Sequence, residues 1–162
     1  MSPPSSRTEV EVRVGAELPA LALPPISRAD LALFAGASGD HNPIHIDLDD
    51  ARAAGFDDVF AQGMLSMAYL GRLLTGWVPQ DRIRSFEVRF TALTPVHAQP
   101  TCTGRVVAVD GGLATVDVGV TLADGTVTLT GQATIACESA AMTRTPERTL
   151  DEGAHLPAGR SS

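Results

Sequence analysis

What the chain lacks narrows its chemistry before any motif is read. It has no surplus of basic residues, since 19 Asp and Glu stand against 12 Lys and Arg for a formal net charge of −7. Broad surfaces for nucleic acid or an anionic membrane need the opposite balance, so neither is expected as a partner. A small anionic ligand could still use a few local arginines. Only two cysteines occur, Cys102 and Cys137, without a C-x-x-C spacing, and no charged stretch followed by a short apolar one opens the chain. Both facts point to a reduced, cytoplasmic setting. No apolar run reaches the about 18 residues that suggest a membrane-spanning helix. There is no glycine-rich phosphate loop after a strand and no G-x-S-x-G elbow, and neither cysteine lies near a turn-to-helix signal. Nucleotide cofactors and covalent catalysis therefore have no visible seat. Internal repeats and a second domain are also missing.

What is present suits one globular domain. The 162 residues are 44% hydrophobic and 19% charged, enough to bury a core and far from a disordered composition. Residues 1–7 and 139–162, rich in Ser, Thr, Pro, Gly and Ala, read as tails around a domain at 8–138. A short alternating strand is expected over 8–14, followed by a connection bearing Pro19, Pro24 and Pro25. Ser27 is an N-cap with Asp30 completing a capping box, and the helix that follows should stop near Gly36. A second short helix is expected over 47–54, capped by Gly55. The stretch 64–74 is apolar on nearly every side, with Arg72 as its charge, and should be wrapped by other structure. From Arg82 the chain turns to β-branched, alternating residues over 83–93, 101–110, 113–122 and 127–137, joined in part by Asp110-Gly111-Gly112 and Ala123-Asp124-Gly125-Thr126 turns. The expected fold is α+β: a four-stranded antiparallel run, joined by the N-terminal strand, curling around one buried helix.

The densest chemistry is Ser38-Gly39-Asp40-His41-Asn42-Pro43-Ile44-His45, with Gln62-Gly63-Met64 at the head of the apolar helix. His41 and His45 sit four apart, but Pro43 prevents them from sharing a helical face, and no third ligand is indicated. No metal is expected. Asp40 and His45 on one loop suit general acid and base work on a water or hydroxyl: the carboxylate accepts a proton while the imidazole, with an unperturbed pKa of about 6.5, holds another. Asn42 can orient one of them. The same residues also make an ordinary turn in which Asp and Asn cap their own backbone. Gly63 offers a backbone N–H at a helix N-terminus, suited to a carbonyl oxygen, although a glycine there also serves close packing.

Phe34-x-x-x-Ser38-Gly39-Asp40-x-Asn42-Pro43-Ile44-His45, then Ala53-Ala54 and Gly63-Met64-Leu65, resembles the signature of the MaoC-like family of R-specific enoyl-CoA hydratases and 3-hydroxyacyl dehydratases. The similarity covers about residues 8–137. It implies a hotdog fold, an antiparallel sheet wrapped around a central helix. It further implies that Asp40 and His45 activate the water added across the double bond, that Asn42 supports them, and that the Gly63 N–H receives the thioester carbonyl. Gln62, Met64, Leu65 and Ser66 are the expected substrate contacts, with core packing as the other role for Met64 and Leu65. Where many members read Ala-His-Gly, this chain reads Ala61-Gln62-Gly63, a neutral amide in place of an ionisable ring.

The implied substrate is a CoA or acyl-carrier thioester, with no cofactor. A homodimer is expected because an isolated sheet leaves its edges open, with a heterodimer of two hotdog chains as the variant. A hotdog thioesterase and a non-catalytic acyl-CoA-binding module are the competing functions. His97 and His155 are expected to be bystanders and Trp77 a packing residue. Arg72, Arg84 and Arg89 are candidates for phosphate contacts.

Overall fold

The computed structural model describes residues 12–137. Residues 1–7 and 139–162, expected to be tails, lie outside this range. The strand expected over 8–14 begins outside it too, and its described part, residues 12–14, is not a strand. Pairing comes later. Gly15, with φ +88, turns the chain so that its N–H donates to Val106 O at 2.8 Å, and Glu17 bridges Arg105. A short strand β1, Leu21–Ala22, then pairs with Cys102 and Thr101. Pro19 and Pro24 bound this piece, because a residue without an N–H cannot continue a ladder.

Helix α1, Arg28–Ser38, has the capping box expected from Ser27 and Asp30. It runs past Gly36 because Gly39, not Gly36, takes the left-handed conformation that ends it, at φ +77. Helix α2, Leu48–Ala53, starts where Asp47 accepts the N–H groups of Asp49 and Asp50. Helix α3, Gly63–Trp77, extends beyond the expected stretch at its C-terminal end. Strands β2 (Ile83–Phe90), β3 (Pro100–Asp110), β4 (Leu113–Leu122) and β5 (Val127–Ala136) complete one antiparallel sheet in the order β1-β3-β4-β5-β2. Strand β2 therefore joins the far side of the sheet, against β5, rather than its sequence neighbour β3.

Alternation on β4 sends Ala114, Val116, Val118 and Val120 inward, where Leu70, Leu73 and Leu74 of α3 meet them. A second, smaller core gathers Leu31, Ala51, Val59, Leu65 and Val96 beneath α1 and α2. The expected wrapping of α3 holds on one side only. Met64, Ala68, Arg72 and Thr75 are exposed, since a single sheet covers a single face of a helix. Trp77 packs against the larger core. None of the helices among the described residues is long and apolar enough to cross a membrane.

Cys102 points into this core with zero exposure, and burial pushes its thiol up to about 11. A thiol held that high stays protonated and unreactive near neutrality. With a disulfide exchange reagent at pH 8, Cys137 is expected to react promptly and Cys102 only as the protein unfolds. Two thiols reacting at the same fast rate would contradict this burial.

Candidate active site

The loop leaving α1 is built from local hydrogen bonds. Ser38 Oγ donates to Phe34 O at 2.7 Å and accepts from the Asp40 N–H at 3.2 Å. Asp40 Oδ1 accepts the Asn42 N–H at 3.4 Å, and Asn42 Oδ1 accepts the Ile44 N–H at 3.3 Å. Asn42 thereby caps one 3₁₀ turn, Pro43–His45, with Pro43 in a first-turn position where its missing N–H costs nothing. The turn role and a chemical role are not alternatives for Asp40. The turn engages one oxygen of its half-buried carboxylate, and Oδ2 makes no hydrogen bond among the described residues.

The loop delivers His45 inward, to 8% exposure. Its Nδ1 lies 2.8 Å from the carbonyl oxygen of Phe60, and its ring meets the Phe60 ring edge-on, with centroids 4.8 Å apart at 80°. A carbonyl can only accept, so Nδ1 carries a hydrogen, and the tautomer this selects presents a bare Nε2. Phe56 packs on Phe60 from the other direction, at 4.7 Å. The Phe60 segment is itself tied down, since Ala61 N–H donates to Thr94 O at 2.8 Å and Phe60 bridges Pro95. At its start, Arg28 and Asp58 pair at 2.7 Å, and the guanidinium holds the Asp58 carboxyl below its ordinary range.

Phe60 matters because Gly63 follows shortly after it. His45 is thus anchored to the strip of chain that opens α3, and Gly63 stands in the first turn, where a backbone N–H has no intrahelical acceptor. A Cβ at Gly63 would lie 3.1 Å from the Phe90 ring, so β2 closes over this helix end. Of the residues around it, Met64 is exposed, Leu65 belongs to the smaller core, and Ser66 is buried with Oγ 3.2 Å from Thr94 Oγ1. Gln62 is fully buried and its Nε2 donates to Leu31 O at 3.1 Å.

Phe60 and Thr94 were absent from the sequence reading. A partnership made through a backbone carbonyl leaves no mark on residue type, so no sequence signal could have found Phe60.

Other candidates lie apart. His41 is exposed, and exposed His97 has φ +67 with its N–H on Ile26 O at 2.7 Å. Arg72, Arg84 and Arg89 are exposed, and Arg84 donates to Asp81 O. Two open depressions, about 580 and 480 Å³, lie on the sheet around Asp117 and Val118, away from the loop. Among the described residues, no group of three or more His, Cys, Asp or Glu side chains is placed to hold a metal ion.

Known proteins are similar to this chain in sequence and in fold. The family model described as "MaoC like domain" matches residues 8–131. The chain is 32% identical to 3-hydroxyacyl-thioester dehydratase Z of Mycobacterium tuberculosis over 72% of its own length and 74% of that protein's. It is 41% identical to an (R)-specific enoyl-CoA hydratase of Rhodospirillum rubrum over a shorter stretch, 33% of this chain and 38% of that one. Among solved structures, a chain of the ChsH1-ChsH2 complex from Mycobacterium tuberculosis superposes with a TM-score of 0.71 at 28% identity, covering 79% of this chain and 100% of that one.

Proposed function

The chain belongs to the MaoC-like domain family and is a hydro-lyase by that membership, and we propose that it reversibly adds water to a trans-2-enoyl thioester to give the (R)-3-hydroxyacyl thioester. The observation that carries this reading is the Nδ1–H bond from His45 to Phe60 O. It sets the tautomer of the base and links that base to the chain entering Gly63.

The Gly63 N–H and the positive end of α3 receive the thioester carbonyl. Polarised in this way, the enoyl β-carbon becomes electrophilic and the α-proton of the hydroxyacyl form becomes acidic. A water held by Asp40 and His45 Nε2 attacks the β-carbon, its proton passes to the pair, and a proton is delivered to the α-carbon. Asn42 keeps the loop in shape through its cap on Ile44. Exposed Met64, beside Gly63, suits the wall of an acyl site, while Gln62, Leu65 and Ser66 act from within. The chemistry needs no cofactor, because the thioester brings its own electrophile. The carrier is CoA or an acyl carrier protein. Two free thiols support a reduced, cytoplasmic setting.

The β2 edge supports an assembled form. Among the described residues all eight residues of β2 belong to an edge strand paired only with β5, an invitation to a second strand. A homodimer is the simplest solution, and the ChsH1-ChsH2 complex favours two unlike hotdog chains as the second reading.

Mixing the chain with crotonyl-CoA is expected to bleach the conjugated enoyl absorbance without release of free thiol. Thiol release would instead mark a thioesterase. Thermal stabilisation by acyl-CoA with no turnover, alone or with another hotdog chain, would mark a binding module.

A further inference from the structure

One buried acceptor is unaccounted for by this reading. Gln62 Nε2 donates to Leu31 O, which fixes the orientation of the amide, and its Oε1 has no hydrogen-bond partner among the described residues at zero exposure. Buried polar atoms of this kind are almost always paired, by water where no protein group reaches them.

A complementary surplus sits at the same end of α3. Ser66, one turn after Gln62, is 1% exposed and bonds Thr94 Oγ1, itself on a residue 4% exposed. Thr94 is also joined to Ala61 through its backbone carbonyl. The two hydroxyls bring two hydrogens and their mutual bond uses one. The other has no acceptor among the described residues. Among the described residues this end of α3 therefore holds a buried acceptor without a donor and a buried hydroxyl hydrogen without an acceptor, and a water molecule has the donor and the acceptor that the two lack. Zero exposure at Gln62 closes the position to a substrate.

We propose that one buried water bridges Gln62 Oε1 and the Ser66–Thr94 hydroxyl pair, and that Gln62, acting through it, is a positioning residue for the Gly63 N–H. This rests on the reading of Gly63 as receptor of the thioester carbonyl. Gln62 immediately precedes Gly63 and gives α3 no side-chain cap, so its buried bonds hold the direction of the first turn. One bond reaches α1 at Leu31, and the other passes through water to the segment at Thr94. Such a donor must be placed closely, because small displacements act on the transition state more than on substrate binding.

The test combines Gln62→Met, which preserves length and volume, with Ser66→Ala and the double variant. A crystal structure of the unaltered protein is expected to show one water within hydrogen-bond reach of Gln62 Oε1 and a hydroxyl of the pair, and the Gln62→Met structure is expected to lack it. On crotonyl-CoA, Gln62→Met is expected to lower kcat about tenfold with KM within about twofold. Ser66→Ala should lose less, and the double variant should be no slower than Gln62→Met alone, because both remove the same bridge. A dry knot, kcat losses that multiply, or a lowered Tm with unchanged kcat would each overturn the proposal. Should the unaltered chain hydrate no enoyl thioester, the function proposed above fails separately. The bridge is then decided by the water density and by whether the Tm shifts are shared or additive.

Discussion

His45→Asn is expected to lower kcat for enoyl-thioester hydration by about 10³-fold while leaving Tm within a few degrees of the parent, and Asp40→Asn is expected to do the same. The magnitude is that of a lost general acid or base, which contributes about 10² to 10⁴. The choice of asparagine follows from the geometry. At position 45 its Nδ2–H can stand where the imidazole Nδ1–H stands, 2.8 Å from Phe60 O, but it offers nothing at the place of Nε2. At position 40 its Oδ1 can still accept the Asn42 N–H, so the turn survives while the negative charge is lost. His45→Ala is a weaker instrument. It strips the donor from a buried carbonyl, at a cost of about 1–3 kcal/mol, and so mixes folding with chemistry. Steady-state kinetics beside a melting curve separates the two, and retention of even a tenth of the parent kcat in either asparagine variant would remove that residue from its assigned role.

The largest effect on stability is expected at Gly131, far from the loop. A Cβ there would overlap the Glu87 carbonyl oxygen and lie 3.0 Å from Val88 Cα, both backbone atoms of the strand paired with it. Backbone cannot rotate away, so Gly131→Ala must push β2 from β5. A loss of about 3 kcal/mol, visible as a fall of about 10 °C in Tm, is expected from overpacking of this kind. Gly104→Ala makes the comparison. Its Cβ would meet Leu18 Cδ2 at 2.9 Å, the far end of a flexible side chain, so its loss should be smaller. Chemical denaturation of the two variants in parallel checks the order, and equal midpoints would show that β2 yields freely. The displacement also reaches the site, because β2 ends in Phe90, whose ring lies over Gly63.

The two predictions draw on different kinds of information. The capping box of Ser27 and Asp30, the Gly111-Gly112 turn with both residues at positive φ, and the bounds of β4 were legible in the sequence. So was the Asp40–His45 loop as a turn, and the family motif carried the fold and the reaction class. Each depends on residues a few positions apart, whose conformational preferences and mutual hydrogen bonds travel with the segment. The end of α1 was misplaced because Gly36 and Gly39 are equally permissive as residues, and only the built helix shows which adopts φ +77.

What remained closed to sequence reading was every relation made through space. The strand order placed β2 against β5 because a sheet edge is chosen by packing, not by adjacency. An almost uniformly apolar α3 carried no periodicity to say that one face would stay exposed. Asp40, His45 and Gly63 could be singled out as candidates because their side chains, or lack of one, define what they can do. That Phe60 O orients His45, and that Gln62 Oε1, beside Gly63, meets no protein donor among the described residues, only the tertiary structure decided. A backbone carbonyl is the same in every residue, and whether a buried amide is satisfied depends on neighbours distant in the chain.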